Sequence, residues 1–261
     1  MILQKYKENE DLNLTDLQQK TLLLLALSTM ARPRSDLGRL QNRDVLFEYD
    51  EDNKVKKMIL HFRQPKEAQV KTFQVQCLPN PDLCPTRTAL LFQQRSSALR
   101  TNLATDHTFF LAYIEDMTMT RTVRPTTVSN WIKEQMKTAG IDTTLYKPHS
   151  IRSASSTKAV ENGNSIPAVK KHGGWSTNTD TLERFYLKPI KSTSSSTIIA
   201  QSILSHNTDN STTLEVGAEA TGVGLGTTSN HNDAEAKTSN VVRPTQSISW
   251  FQWLTNTPPN T

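Results

Sequence analysis

The chain has 261 residues, of which 35% are hydrophobic, and a formal net charge of +5 at pH 7. The apolar run at 22–27 is far shorter than the roughly 18 residues that indicate a membrane span, and no secretory signal pattern follows Met1. We therefore expect an intracellular protein with no membrane partner, in the nucleus if the cell is eukaryotic. Cys77 and Cys84 lack zinc-site spacing, which favours reduced structural thiols over a metal site, with a disulfide as the alternative.

Composition divides the chain into two parts. Residues 192–261 contain Ser, Thr or Asn at 31 of 70 positions, with two basic and five acidic residues, so we expect a disordered tail over 191–261. Residues 1–191 carry 28 basic and 20 acidic side chains, a net charge of +8. A folded domain over 1–190 with this charge suits a polyanionic partner, although charge alone does not identify it.

Hydrophobic periodicity and capping residues predict the following elements in chain order. Helices are predicted at 14–30, 35–42, 86–100, 126–139, 149–162, 165–171 and 178–186, and strands at 45–49, 57–63 and 70–76. Ser165 followed by Pro167 is typical of a capped helix start. The expected fold class is mostly α with a small antiparallel β-sheet.

Two side chains near the start of the predicted helix at 149–162 can meet at one anion. His149 and Arg152 are three residues apart, and this spacing places them on one face of a helical turn. Arginine presents a planar fork of donors that matches phosphate oxygens, and histidine can relay a proton near neutral pH. Alone, the pair is better explained as surface or helix-capping residues.

A second group of chemically useful side chains follows downstream. Trp175, preceded by two glycines, lies 23 residues after Arg152. Its indole offers one N–H hydrogen-bond donor but cannot act as an acid or a base at neutral pH. Tyr186 ends the predicted helix at 178–186, where Leu182 and Phe185 are predicted to face the core. In isolation, Tyr186 would be read as a packing residue beside Phe185.

In this order, the motifs resemble the catalytic domain of the tyrosine recombinases, the phage-integrase family, in its eukaryotic mobile-element branch (Crypton-like or DIRS-like). The resemblance runs from about residue 12 to about residue 190. That family's site holds an arginine, a hairpin lysine, His-x-x-Arg, a histidine or tryptophan, and a tyrosine. The resemblance implies a tyrosine recombinase catalytic-domain fold and the catalytic residues Arg32, Lys66, His149, Arg152, Trp175 and Tyr186.

Two of these assignments have alternatives. Residues 28–37 are similar to the family's turn around its first arginine but have one residue inserted, so Arg34 stays open beside the favoured Arg32. Asp36 resembles the acidic residue that supports this arginine. Lys66 lies at the tip of the predicted hairpin, and Lys71 is the alternative.

The resemblance also implies the chemistry. Tyr186 would attack a DNA phosphate and form a covalent 3′-phosphotyrosine intermediate, with no metal or cofactor, as in DNA recombination or integration of a mobile element. The implied partner is double-stranded DNA, bound by a homo-oligomer (a dimer or tetramer). Because the resemblance begins close to Met1, we expect either no separate DNA-binding domain before the catalytic domain or a chain that is a fragment, and a catalytically inactive DNA-binding remnant is one alternative. A type IB topoisomerase-like enzyme is a less favoured one.

Overall fold

The computed structural model describes Tyr6, residues 8–63 and residues 70–188, and every described residue belongs to one compact unit. The predicted fold class, mostly α with a small antiparallel sheet, is confirmed over these residues. The helices are α1 (Leu14–Thr29), α2 (Pro85–Arg95), α3 (Pro125–Thr138), α4 (Ser150–Glu161), α5 (Ile166–Gly173) and α6 (Thr181–Phe185). The strands are β1 (Val45–Tyr49), β2 (Val55–Phe62), β3 (Lys71–Gln76), β4 (Leu111–Ala112) and β5 (Arg121–Thr122).

Helix α1 is the central element of the core. Asn13 caps it, because its side-chain oxygen accepts a hydrogen bond from the Asp16 amide at 2.7 Å. The helix is apolar on several sides and is buried almost throughout its length, with α2, α3 and α4 packed around it. It ends at Met30, whose φ of 53° is unusual for a residue with a side chain. This ending directs the Met30 carbonyl toward α4.

Strands β1, β2 and β3 form an antiparallel sheet in that order. Met58, Leu60 and Phe62 alternate along β2 and are buried, so one face of the sheet covers the core. Phe62 pairs with Lys71 in the last described step of the β2–β3 ladder. The predicted hairpin tip, and Lys66 with it, lies outside the described residues.

The predicted helix at 35–42 is wrong. The structure has a short 3-10 turn over Leu37–Arg39 there, preceded by a turn in which an Asp36 carboxylate oxygen accepts the Arg32 amide at 2.8 Å. Gly38 lies against α3, where a Cβ would come within 2.7 Å of the Pro125 Cα. Local side-chain capping and this close backbone contact compete with a regular helix.

Two further features differ from the prediction. Helix α2 ends at Arg95, because the Ser96 hydroxyl bonds back to the Phe92 carbonyl at 2.7 Å, and a separate 3-10 turn follows at Ala98–Arg100. Strands β4 and β5 were not predicted, since a two-residue pair gives no alternating pattern. The other predicted helices and strands are present with small shifts at their ends.

The described residues pack in two apolar clusters. The larger one surrounds α1, and the smaller one consists of Met30, Val169 and Leu182. Trp175 and Tyr186 pack against the smaller cluster. No helix among the described residues has the length and apolarity needed to cross a membrane.

Candidate active site

Helix α4 positions the histidine and arginine of the predicted pair. His149 immediately precedes its first residue, and Arg152 lies in its first turn. The His149 Nε2 atom is 2.8 Å from the Tyr186 hydroxyl oxygen, and the two rings meet edge to face at 5.5 Å. Three of the residues predicted from sequence therefore come together at the start of one helix.

Arg152 is held from two sides by the backbone. Only 2% of it is exposed, and its terminal nitrogens donate hydrogen bonds to the Met30 carbonyl and, at 2.7 Å, to the Gly173 carbonyl. Its buried Nε makes no hydrogen bond to a described residue. Burial, followed by the charge of Arg32, lowers the pKa of Arg152 to about 10, so the group remains a cation at neutral pH.

Trp175 covers the guanidinium of Arg152. The Arg152 Cζ lies 3.6 Å from the centre of the indole, and the indole contacts Tyr186 edge to face at 5.0 Å. Gly173 makes this packing possible, because a Cβ there would lie 1.9 Å from the Trp175 Cζ3. Gly174 ends α5 with a φ of 68°, a conformation that glycine adopts without strain. The two glycines thus set the indole against the arginine.

Tyr186 follows the short helix α6, and its ring is only partly buried. Its carbonyl oxygen accepts hydrogen bonds from two hydroxyls of α4, those of Ser153 and, at 3.3 Å, Thr157. Leu182 is buried as predicted, but the prediction for Phe185 is wrong, since 70% of that residue is exposed. A helix of five residues presents too few positions to bury both side chains.

Arg32 joins the cluster through its charge. The pKa of His149 is lowered first by desolvation and then by the positive charges of Arg152 and Arg32. One Arg32 nitrogen lies 3.6 Å from an Asp36 carboxylate oxygen, and 34% of the arginine side chain is exposed. Arg34 is exposed and is not among the charges that shift these pKa values. Of the two candidates, the structure brings Arg32 to the site.

The two candidate lysines differ in what the structure reveals. Lys66 lies outside the described residues. Lys71 begins β3, and its Cδ and Nζ atoms are 3.7 Å and 4.0 Å from the position that a Cβ on Gly174 would occupy. Lys71 therefore extends to the turn that carries Trp175, at the edge of the cluster.

Sequence reasoning did not identify Ser153 and Thr157. Their signal was the hydroxyl-rich stretch at 153–157 inside a predicted helix, because serine and threonine are poor helix formers unless their hydroxyls find partners. Ser153, Thr157 and the residues between them are all buried. Among the described residues, no group of three or more His, Cys, Asp or Glu side chains could hold a metal ion.

A scan against models of protein families found no match, and a search of curated proteins found none. Among solved structures, the chain is similar to a XerA recombinase, with a TM-score of 0.44, 16% identity and coverage of 72% of this chain and 62% of that one. It is also similar to the Tn1549 transposon integrase in complex with transposon right end DNA, with a TM-score of 0.43, 17% identity and coverage of 71% and 58%. A complex of that integrase with circular intermediate DNA gives a TM-score of 0.42, 18% identity and coverage of 72% and 61%. The chain spans about three-fifths of the length of these proteins.

Proposed function

We propose that this chain is the catalytic domain of a tyrosine recombinase that cleaves and rejoins double-stranded DNA. The observation that carries the proposal is the 2.8 Å contact between His149 Nε2 and the Tyr186 hydroxyl, beside a buried arginine. A tyrosine is a suitable nucleophile when a base is within hydrogen-bond reach and cations surround the phosphate it attacks. Here the base and one cation come from the start of α4, a second cation comes from the turn after α1, and the hydroxyl comes from the end of α6.

In the proposed reaction, the Tyr186 oxygen attacks a backbone phosphorus atom and the bond from phosphorus to the 5′ oxygen breaks. His149 accepts the phenolic proton on Nε2, which requires the neutral tautomer with its proton on Nδ1. The lowered pKa of His149 keeps the ring neutral at neutral pH and therefore able to accept this proton. A lysine, Lys66 or Lys71, protonates the departing 5′ oxygen. The product is a 3′-phosphotyrosine, and the reverse steps rejoin the strand.

The two arginines have different tasks in this scheme. Arg32 is partly exposed, so it can donate hydrogen bonds to the non-bridging phosphate oxygens that gain charge in the transition state. Arg152 is buried and bound to carbonyls, so in this conformation it stabilises that charge from behind the site through its field. Trp175 excludes water from the Arg152 face and so reduces the screening of this field.

One observation favours a second candidate function, DNA binding without cleavage. Both terminal nitrogens of Arg152 are already engaged by carbonyl groups, so a direct phosphate contact through the predicted arginine requires a rearrangement. A remnant that retained only the basic surface would bind DNA and form no covalent product. The type IB topoisomerase-like alternative would form the same covalent product but relax supercoiled DNA without exchanging strands.

Within this proposal, we place the chain in the eukaryotic mobile-element branch and expect intracellular action, in the nucleus of a eukaryote. We further propose that a dimer or tetramer assembles on DNA, because exchange between two duplexes requires more than one cleaving tyrosine. The net charge of +8 over residues 1–191 supports the DNA partner.

The test uses nicked duplexes that trap a covalent product, with randomised sequence around the nick because the target site is unknown. A short strand released after cleavage diffuses away, so the tyrosyl link cannot be reversed. We expect the intact chain to form a protein–DNA adduct that survives a denaturing gel, and Tyr186→Phe to form none.

The matched control is Tyr113→Phe, which removes the phenolic oxygen of an exposed tyrosine beside Arg121 and should leave the adduct unchanged. Binding is measured in parallel by gel mobility shift. Retained DNA binding with no adduct from the intact chain would replace the recombinase proposal with the binding remnant.

A further inference from the structure

We propose that Ser153 and Thr157 are positioning residues that hold the main chain of Tyr186 in place for the attack. The proposal rests on the proposed function, because it assigns a role in delivering that nucleophile. It concerns two hydroxyls on α4 that make no hydrogen bond to the phenol. Their partners are backbone groups at the end of α6.

Three hydrogen bonds define this clamp. The Ser153 hydroxyl donates to the Tyr186 carbonyl, and the Thr157 hydroxyl donates to the same oxygen at 3.3 Å. The Thr157 oxygen in turn accepts the Lys188 amide at 3.0 Å. The backbone is thus held on both sides of Leu187, at the residue that carries the nucleophile and two residues beyond it.

The other attachments of this segment act on side chains: Glu183 of α6 pairs with Lys170 at 2.7 Å, and the Tyr186 ring contacts His149 and Trp175. Helix α6 has only five residues, and Leu182 is its one buried side chain. Phe185, next to the nucleophile, is 70% exposed. Such a helix buries too little apolar surface to hold its C-terminal end in one position by packing. The hydroxyls of α4 attach the main chain itself, at Tyr186 and Lys188.

The clamp also links the tyrosine to its own base and cation. Ser153 follows Arg152 directly, and Thr157 lies one helical turn further along the same helix. A single rigid element therefore sets the positions of His149, Arg152 and the Tyr186 backbone. This arrangement keeps the His149–Tyr186 contact at hydrogen-bond distance. A nucleophile displaced by about 1 Å can lose roughly 100-fold in rate.

The test replaces the two hydroxyls without changing the volume of the site. Thr157→Val keeps the shape of threonine and removes its hydroxyl, and Ser153→Ala removes the other. Thr157→Ser retains a hydroxyl and serves as the conservative rescue. Ser155→Ala is the matched control on the same helix, because the buried Ser155 hydroxyl has no hydrogen-bond partner among the described residues.

We expect the double variant Ser153→Ala with Thr157→Val to form the covalent adduct 10- to 100-fold more slowly at saturating DNA, by the same order-of-magnitude reasoning. DNA affinity should stay unchanged, since both residues are buried. Thr157→Ser and Ser155→Ala should react at close to the normal rate. A double variant with the normal rate, or one that loses rate and DNA affinity together, would overturn the proposal.

A second measurement separates this proposal from the recombinase proposal. Hydrogen exchange at the Lys188 amide, followed by NMR, reports the clamp whether or not the protein is active. We expect faster exchange in Thr157→Val and no change in Ser155→Ala. If the intact chain forms no adduct but this pattern is seen, the recombinase proposal fails and the clamp stands as a structural feature. Unchanged exchange in Thr157→Val refutes the clamp itself.

Discussion

Gly173→Ala tests whether the indole of Trp175 organises the site. The added Cβ would lie 1.9 Å, 2.4 Å and 2.9 Å from three atoms of the Trp175 six-membered ring, so the ring must move. Overpacking of this kind costs about 1–3 kcal/mol, which exceeds the roughly 0.5–1 kcal/mol that alanine gains over glycine in a helix. The displaced ring would also uncover Arg152 and leave Tyr186 without its edge contact.

The assay is a double-mutant cycle with Trp175→Ala, read by urea unfolding and by the rate of adduct formation. In the unmutated background, we expect Gly173→Ala to lower the unfolding free energy by up to about 2.5 kcal/mol, the clash less the helix gain. In the Trp175→Ala background the clash is gone, so the same change should be neutral or stabilising by up to about 1 kcal/mol. We also expect at least a tenfold fall in adduct rate for Gly173→Ala.

Gly163→Ala is the control for the cycle. An alanine at position 163 would also be strained, because the φ of Gly163 is 89°, but no atom lies within 4 Å of the Cβ that it would add. Its cost, about 1–2 kcal/mol from the left-handed conformation, should be the same with and without Trp175. An equal loss for Gly173→Ala in both backgrounds would refute the claim that this glycine exists to admit the indole.

Three further predictions concern titration and proton transfer. Desolvation and two arginines lower the pKa of His149 from its usual value of about 6.5. The cleavage rate should therefore stay level through neutral pH and fall only below about pH 6.5, where the ring gains a proton. In a pH–rate profile, His149→Gln should abolish this fall at acidic pH. A substrate with sulfur in place of the 5′ oxygen should identify the lysine that protonates the leaving group, since a thiolate leaves without a proton. The acid is the lysine whose alanine variant, Lys66→Ala or Lys71→Ala, regains activity on this substrate. The scheme is contradicted if neither variant regains activity. Burial and the neighbouring Cys84 raise the pKa of Cys77, so alkylation by iodoacetamide at pH 8 should be slower in the folded protein than in urea, and equal rates would contradict the described environment.

Much of the fold could be predicted because its signals are local. The apolar run within α1 predicts a buried helix, and the alternation in β2 predicts a strand with one covered face. The helix at 35–42 could not be excluded from sequence, because its loss depends on the Gly38 backbone meeting Pro125, far along the chain. Nothing in the spacing of residues 35–42 reports that contact.

The site shows the same division. The order of residue types was sufficient to nominate His149, Arg152 and Tyr186, which the structure places together. The choice between Arg32 and Arg34 depended on the turn that Asp36 holds, and an inserted residue hides such a turn in sequence. Roles that depend on tertiary geometry were beyond prediction from sequence.

Trp175 illustrates such a role. The sequence indicated only an indole N–H donor at this position, and the structure shows the ring face lying over the Arg152 guanidinium. The Ser153 and Thr157 hydroxyls are similar, since their function depends on where a carbonyl 29 to 33 residues away arrives. A helix-forming sequence pattern does not show which distant carbonyl group will lie beside these hydroxyls.

The most direct test of the central claim is mass spectrometry of the protein–DNA adduct after digestion with nuclease and protease. We predict a nucleotide attached to Tyr186 through the phosphate of its 3′ end, with a free 5′ hydroxyl on the released strand. Attachment at another residue, or through a 5′ phosphate, would contradict it.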